Sequence, residues 1–169
     1  MGENSLTQML TVPQDRQEAP GAAALTNPGE HRVVELVVDL PGRPRFDVTF
    51  SQPPVWLNHV SHRLNELASM TGSWDGRGAQ SLATDALLML LHALQRTLNS
   101  STPEPQFVLS PDGGLQVEWH QGGWDIEIEA RPNGDIEGMG RHAERRISLW
   151  ADSLLGLDQL TPALRDIES

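Results

Sequence analysis

The chain has 169 residues, no cysteine, no lysine and no tyrosine, and a formal net charge of −11, with 12 arginines set against 23 Asp and Glu. The lack of cysteine excludes disulfides, zinc–thiolate sites and a cysteine nucleophile, and a chain this acidic is not drawn to a phosphate backbone by bulk electrostatics. The length suits one domain with tails, the 38% apolar share supports a core that leaves the Pro- and Gly-rich stretches outside, and no apolar run is long enough to span a membrane.

The N-terminus shows no basic segment followed by an apolar one, and Leu6 stands where a myristoylation motif requires Ser or Thr. A cytoplasmic location is therefore expected. Acidity leans toward the C-terminal half: 6 Arg against 10 Asp and Glu give −4 for residues 1–85, and 6 against 13 give −7 for residues 86–169.

Residues 1–30 show no sustained period and read as a flexible tail, with a short helical turn around Leu6–Leu10. A single α+β domain is expected over residues 31–141. It opens with a β-forming run, Val33 to Val38, and after Pro41-Gly42-Arg43-Pro44 a second strand alternates over Phe46–Phe50. From about Val55 to Met70, Trp56, Leu57, Val60, Leu64, Leu67 and Ala68 recur at helical spacing, and Thr71-Gly72 ends the helix.

The loop 73–81 leads to a second helix, about Leu82 to Leu98, with Ser81 or Thr84 as N-cap and Asp85 in the first turn. Its apolar arc is wide enough to require cover on more than one side. In the loop, Trp74 reads as an anchor packed under the sheet, Asp75 as a brace for the turn, and Gly76 and Gly78 as permissive backbone. Gly76-Arg77-Gly78 is a weak phosphate-loop candidate, because it follows a helix and lacks the Gly-Lys-Ser/Thr ending.

A β-meander follows: Gln106–Ser110, Leu115–His120, Trp124–Ala130 and about Asp135–Arg141, joined at Asp112-Gly113, Gly122-Gly123 and Asn133-Gly134. Alternation places Leu115, Val117, Trp119, Trp124, Ile126, Ile128 and Ala130 on one face. Pairing Trp119 with Trp124 sets Glu118 opposite Asp125 and Gln116 opposite Glu127, with Glu129 beyond, Glu137 near Glu129, and Arg141 near Asp125. Like charges directly opposed on a sheet destabilise by a few tenths to about 1 kcal/mol per pair. This face is an ordinary solvated surface, a docking surface for an Arg/Lys-rich partner, or a divalent-metal site.

His59, His62 and Glu66 share one helix face, but it is the outward one, and a solvated face is the simpler reading. No nucleophile-elbow motif is present, and His31, His120 and His142 have no matching carboxylate at a legible spacing. Over residues 142–169 the sequence predicts an amphipathic helical segment. Ile147, Trp150, Leu154 and Leu157 form its apolar stripe, which either packs back on the sheet or contacts a partner or a second copy.

Trp74-Asp75-Gly76-Arg77-Gly78-Ala79, Pro111-Asp112-Gly113-Gly114-Leu115, Val117-Glu118-Trp119, Asp125-Ile126-Glu127-Ile128 and Pro132-Asn133-Gly134 resemble a widespread set of small bacterial proteins. Those proteins pair a Trp-Asp-Gly/Ser-x-Gly-Ala loop with a Gly-Gly-x-x-x-Glu-Trp strand. The resemblance covers about residues 56–139. It implies a bacterial or phage origin and a compact α+β unit, and it transfers no activity. Arg77 replaces the usual aromatic, so a role for an aromatic there does not carry over.

The expected architecture is α+β: two helices on a mainly antiparallel sheet ending in a β-meander, with N- and C-terminal extensions. The expected function is non-enzymatic protein binding, as an antitoxin-like, immunity-like or accessory subunit of a prokaryotic toxin or defence system. The partner is a protein of basic character, with neither nucleic acid nor membrane contacted directly. Glu118, Asp125, Glu127, Glu129, Ile147, Trp150, Leu154 and Leu157 are the candidate contact residues. No catalytic residue, metal ligand or cofactor is expected. The alternatives are a divalent-metal-dependent enzyme using the acidic sheet face, and a structural homo-oligomer.

Overall fold

The computed structural model describes residues 34–38, 46–50 and 54–168, with backbone alone for the first two stretches and for residues 58 and 59. The predicted tail, its turn at Leu6–Leu10 and the turn at 41–44 lie outside the described residues. Strands β1 (Val34–Val38) and β2 (Phe46–Phe50) form an antiparallel hairpin. Its backbone runs beside helices α1 (Leu57–Ser69) and α2 (Thr84–Thr97). A second sheet follows, antiparallel throughout, in the sequential order β3 (Gln106–Leu109), β4 (Leu115–Gln121), β5 (Trp124–Ala130), β6 (Ile136–His142) and β7 (Ile147–Ala151). A 3-10 turn (Gly156–Leu160) and the short helix α3 (Thr161–Asp166) close the described chain.

The fold is thus α+β, with α1, α2 and the C-terminal turns on one face of the five-stranded sheet. The apolar positions of both helices are buried as their 3.6-residue period demands. Leu57, Val60 and Leu64 of α1 and Leu87, Leu90, Leu91 and Leu94 of α2 meet Leu115, Val117, Ile126 and Ile128 of the sheet in one core. The wide arc of α2 is covered on two sides, by β4 and β5 and by the hairpin strand β2. Its N-cap is Ala83, with no side-chain cap, and Thr84 Oγ1 is buried without a partner among the described residues. Neither Ser81 nor Thr84 therefore fills the capping role the sequence suggests.

The β4–β5 hairpin corrects the expected register. Gly122 and Gly123 form a two-residue loop at φ 61° and 79°, the double left-handed conformation that glycine supplies and that matches the sheet twist. Gln121 then pairs with Trp124 and Trp119 with Ile126. The shift is two residues, so the pleat preserves which side chains face the core. What changes is the partner of each carboxylate.

Residues 142–169 are not an amphipathic helix. Ile147–Ala151 is a strand, paired with β6 from His142↔Ile147 to Gly138↔Ala151. Helical and alternating periods compete over Ile-Ser-Leu-Trp-Ala, and the unpaired backbone of β6 decides between them. The rest packs on the domain: Leu157, Leu160, Ala163, Leu164 and Ile167 are buried. Gly138 makes room for this cover, since a Cβ there would stand 2.7 Å from Leu160 Cδ1 and 2.8 Å from Leu157 Cδ2. The expected stripe is therefore split. Leu157 is wholly buried and Leu154 partly, while Ile147 and Trp150 are exposed.

The Trp74 loop also differs from expectation. Trp74 is 38% exposed and its indole donates to Gln80 O at 3.0 Å, within its own loop, so it is no anchor beneath the sheet. Asp75 does brace the turn, accepting from the backbone N–H of Arg77 at 2.7 Å and of Ala79 at 3.1 Å. These bonds hold its carboxyl below the usual range. Gly76 and Gly78 have φ of 72° and 97°. The loop then docks on the β3–β4 turn through Gln80 N–H to Pro111 O at 2.8 Å and Ala83 N–H to Gly113 O at 2.9 Å. A Cβ on Gly113 would lie 2.7 Å from Ser81 O. The Trp-Asp-Gly-x-Gly-Ala and Asp-Gly-Gly motifs are thus two halves of one backbone junction.

Candidate functional site

Among the described residues helices cover one face of the five-stranded sheet, and the other face carries the polar half of each alternating strand. Cross-strand pairing arranges it in three rows. The first runs Val108, Gln116, Glu129, Glu137; the second Gln106, Glu118, Glu127, Met139, Trp150; the third His120, Asp125, Arg141, Ser148. Glu118, Asp125, Glu127 and Glu129 therefore share one surface, as the alternation predicts, and Trp150 stands at the end of the row containing Glu118 and Glu127. Ile147 points to the opposite side of β7 by the same alternation. Leu154 and Leu157 lie off this face.

The carboxylates are unequally compensated. In the third row His120 bridges two of them, with Nδ1 2.5 Å from Asp125 Oδ1 and Nε2 3.0 Å from Glu118 Oε2. Arg141 adds a longer ion pair to Asp125 at 3.6 Å. The hydrogen bond that His120 donates to Glu118 is foremost in raising the His120 pKa; partial burial opposes it and Asp125 adds to it. Glu118 also accepts from Gln116 Nε2 at 2.9 Å. In the first row Glu137 is paired with Arg131 at 2.5 Å.

Glu127 and Glu129 are left with neither hydrogen bond nor ion pair among the described residues. Glu127 sits directly opposite Glu118, with Asp125 and Glu129 two residues away on its own strand. Burial first, then the charges of Asp125 and Glu118, push its carboxyl above the usual range, and the charge of His120 opposes them in part. With Glu137, Met139, Trp150 and the Gly138 backbone, Glu127 and Glu129 line an open concavity of about 180 Å³.

Trp150 distinguishes this surface further. It is 54% exposed. The other four indoles all donate: Trp56 to Thr102 O, Trp74 to Gln80 O, Trp119 to Pro103 O and Trp124 to Asp166 Oδ2. No hydrogen bond from Trp150 is found among the described residues. An indole lining the same concavity as Glu127 and Glu129 offers a cation both an aromatic face and counter-charges.

Among the described residues no three His, Asp or Glu side chains converge as a metal's ligands would. The carboxylates stand in rows on a pleated surface. On α1, His62 and Glu66 form an exposed ion pair at 3.2 Å, and the side chain of His59 lies outside the described residues. Asp112 and Asn133 serve their own turns, Asp112 accepting from Gly114 N–H and Asn133 from Asp135 N–H.

The sequence reading misses His120, because it depends on the hairpin register. Only when Gln121 pairs with Trp124 does His120 oppose Asp125. Two adjacent glycines between alternating runs are the signal that fixes this pairing. It also misses Trp150 as part of the acidic face, because a residue assigned to a helix cannot be placed in a sheet row.

Comparison with protein-family models, with curated proteins and with solved structures gives no match. No helix among the described residues is long and apolar enough to cross a membrane.

Proposed function

We propose that this protein is a non-enzymatic binding module whose open sheet face receives a basic protein partner, and that it serves as an antitoxin-like, immunity-like or accessory subunit of a prokaryotic toxin or defence system. The observation that carries the reading is Glu127, set against like charges with no hydrogen bond or ion pair among the described residues, in a concavity it shares with an exposed tryptophan. A solvated surface has no need of that arrangement, and neutral residues there would be more stable. A partner's arginine or lysine would relieve the repulsion and find Trp150 as an apolar wall. Arginine is favoured, because its planar guanidinium can bond carboxylates in pairs and stack on indole. The role in toxin or defence systems rests on the strong acidity and the lack of a legible catalytic constellation. The metal-enzyme alternative gains no ligand set from the described residues.

Titration of the full chain with a nona-arginine peptide, followed by 15N-resolved NMR, tests the reading. The Trp150 indole signal and the amides of Glu127 and Glu129 should shift saturably, and binding should weaken with added salt. A nona-glutamate peptide should move none of them. Arginine peptide that leaves the open face unperturbed contradicts the proposal.

A further inference from the structure

The five-stranded sheet has two edges, and they are finished differently. At β3 the approach is Pro103-Glu104-Pro105. Proline cannot donate to a ladder, and prolines and charges are ordinary ways of closing an edge to a foreign strand. β7 has no such protection. Its sequence, Ile-Ser-Leu-Trp-Ala, contains neither proline nor charge. It bonds to β6 on one side, and no backbone hydrogen bond joins it to another element among the described residues. In an antiparallel ladder alternate residues of an edge strand turn their N–H and C=O groups outward. Ile147, Trp150 and, just beyond, Leu155 are three of the large apolar side chains the molecule leaves exposed.

The flanks of β7 carry opposite charges. Arg146 precedes it and Asp152 follows it, each three residues from Leu149 at its centre. Both are exposed, and neither makes an ion pair among the described residues. Antiparallel pairing of β7 with its own copy about Leu149 places Leu149 against Leu149 and Ile147 against Ala151, and it brings the turn residue Arg146 (φ 54°) of each copy to the strand end where Asp152 of the other stands, within reach of a long side chain. The edge is self-complementary in hydrogen bonding and in charge, as a twofold interface requires.

We propose that the chain forms a homodimer by β7–β7 pairing, which joins the two sheets into one of ten strands. The net charge of −11 per chain does not oppose this arrangement locally. The carboxylate-rich strands β5 of the two copies would be five strand spacings apart, roughly 24 Å, which exceeds the Debye length of about 8 Å at physiological ionic strength. The residues nearest the junction include Arg141, Arg145 and Arg146. Side chains stand perpendicular to the sheet, so Trp150 stays on the open face and two acidic faces point the same way. The inference does not depend on the binding function proposed above.

Sedimentation equilibrium of the full chain across a concentration series tests the proposal, with R146E, D152R and their combination. The native chain should dimerise. Each single substitution sets like charges together at both ends of the interface and should raise the dissociation constant roughly 2- to 30-fold, from two surface pairs. The double variant should recover native affinity, and an equimolar mixture of the two single variants should form heterodimers. A chain that is monomeric up to the highest soluble concentration overturns the proposal and leaves the edge to a strand from another protein. A dimer indifferent to all the charge reversals overturns it equally, because its interface lies elsewhere.

Discussion

The two faces of the five-stranded sheet are built from the same strands and obey opposite rules. On the covered face, Leu115, Val117, Ile126 and Ile128 are fully buried against two helices, and each apolar side chain has found apolar neighbours. On the open face, Glu127 and Glu129 are set near carboxylates of like charge, with no hydrogen bond or ion pair of their own among the described residues, and Trp150 is exposed. Stability accounts for the first arrangement. It does not account for the second, and surfaces that depart from what stability favours are where function is sought.

Substitutions on the two faces should therefore differ in size and in sign. A large loss should come from Ile126→Ala, which removes a buried branched side chain between sheet and helices, a change that typically costs about 2–5 kcal/mol. Chemical denaturation should show it as a lower midpoint with an unchanged slope. Gly138→Ala should cost about 1–3 kcal/mol by overpacking, because the new methyl group meets Leu157 and Leu160. A neutral result there would mean that the C-terminal turns are held loosely on the sheet, and the same denaturation curve decides it.

The tryptophans sharpen the same contrast. Trp124 is buried, meets His142 edge to face at 5.1 Å and donates to Asp166 at 2.7 Å. Trp124→Ala should cost about 3–5 kcal/mol. Trp74→Ala should cost only about 1 kcal/mol, the scale of one hydrogen bond, since it closes a loop whose other bonds remain. Thermal unfolding of the two variants side by side reads the difference. Equal destabilisation would return Trp74 to the anchoring role the sequence suggests.

On the open face the sign should reverse. Glu127→Gln removes like-charge repulsion and should stabilise the fold at neutral pH by about 0.2–1 kcal/mol. Burial, Asp125 and Glu118 raise the Glu127 pKa in the folded state. Its contribution is thus most favourable below the ordinary glutamate range and declines as pH rises through the folded pKa. His120 has the same sign for another reason. Its pKa is raised by Glu118 and Asp125, so the stability it contributes is present in full below its ordinary pKa of about 6.5 and is lost as pH climbs through the folded value. Unfolding measured from pH 5 to 8 should show this decline in the native chain and a shallower one in His120→Gln.

Much of the scaffold was legible in the sequence, because its periods are local. The apolar spacing of α1 and α2 and the alternation of β4 and β5 locate those elements within two residues of their observed ends. The composition of the open face follows from the same alternation, so Glu118, Asp125, Glu127 and Glu129 come together as expected. What the sequence hides depends on partners distant in the chain. β7 is a strand because β6 has an unpaired edge, and that fact is absent from Ile147–Ala151 themselves. The His120 bridge requires a register that two glycines set. Trp74 is misread because a large aromatic in a Gly-rich loop suggests core, whereas the small Ala79 is the residue that the loop buries.

The central claim is that the open face is held against stability for the sake of binding, and the double variant Glu127→Gln/Glu129→Gln tests it most directly when melting temperature and nona-arginine affinity are measured on the same sample. The account predicts opposite movements: a higher melting temperature and an affinity lowered by roughly tenfold or more, the scale of losing two charge-assisted contacts. A variant that binds the peptide as tightly as the native chain, or whose melting temperature falls together with its affinity, would contradict it.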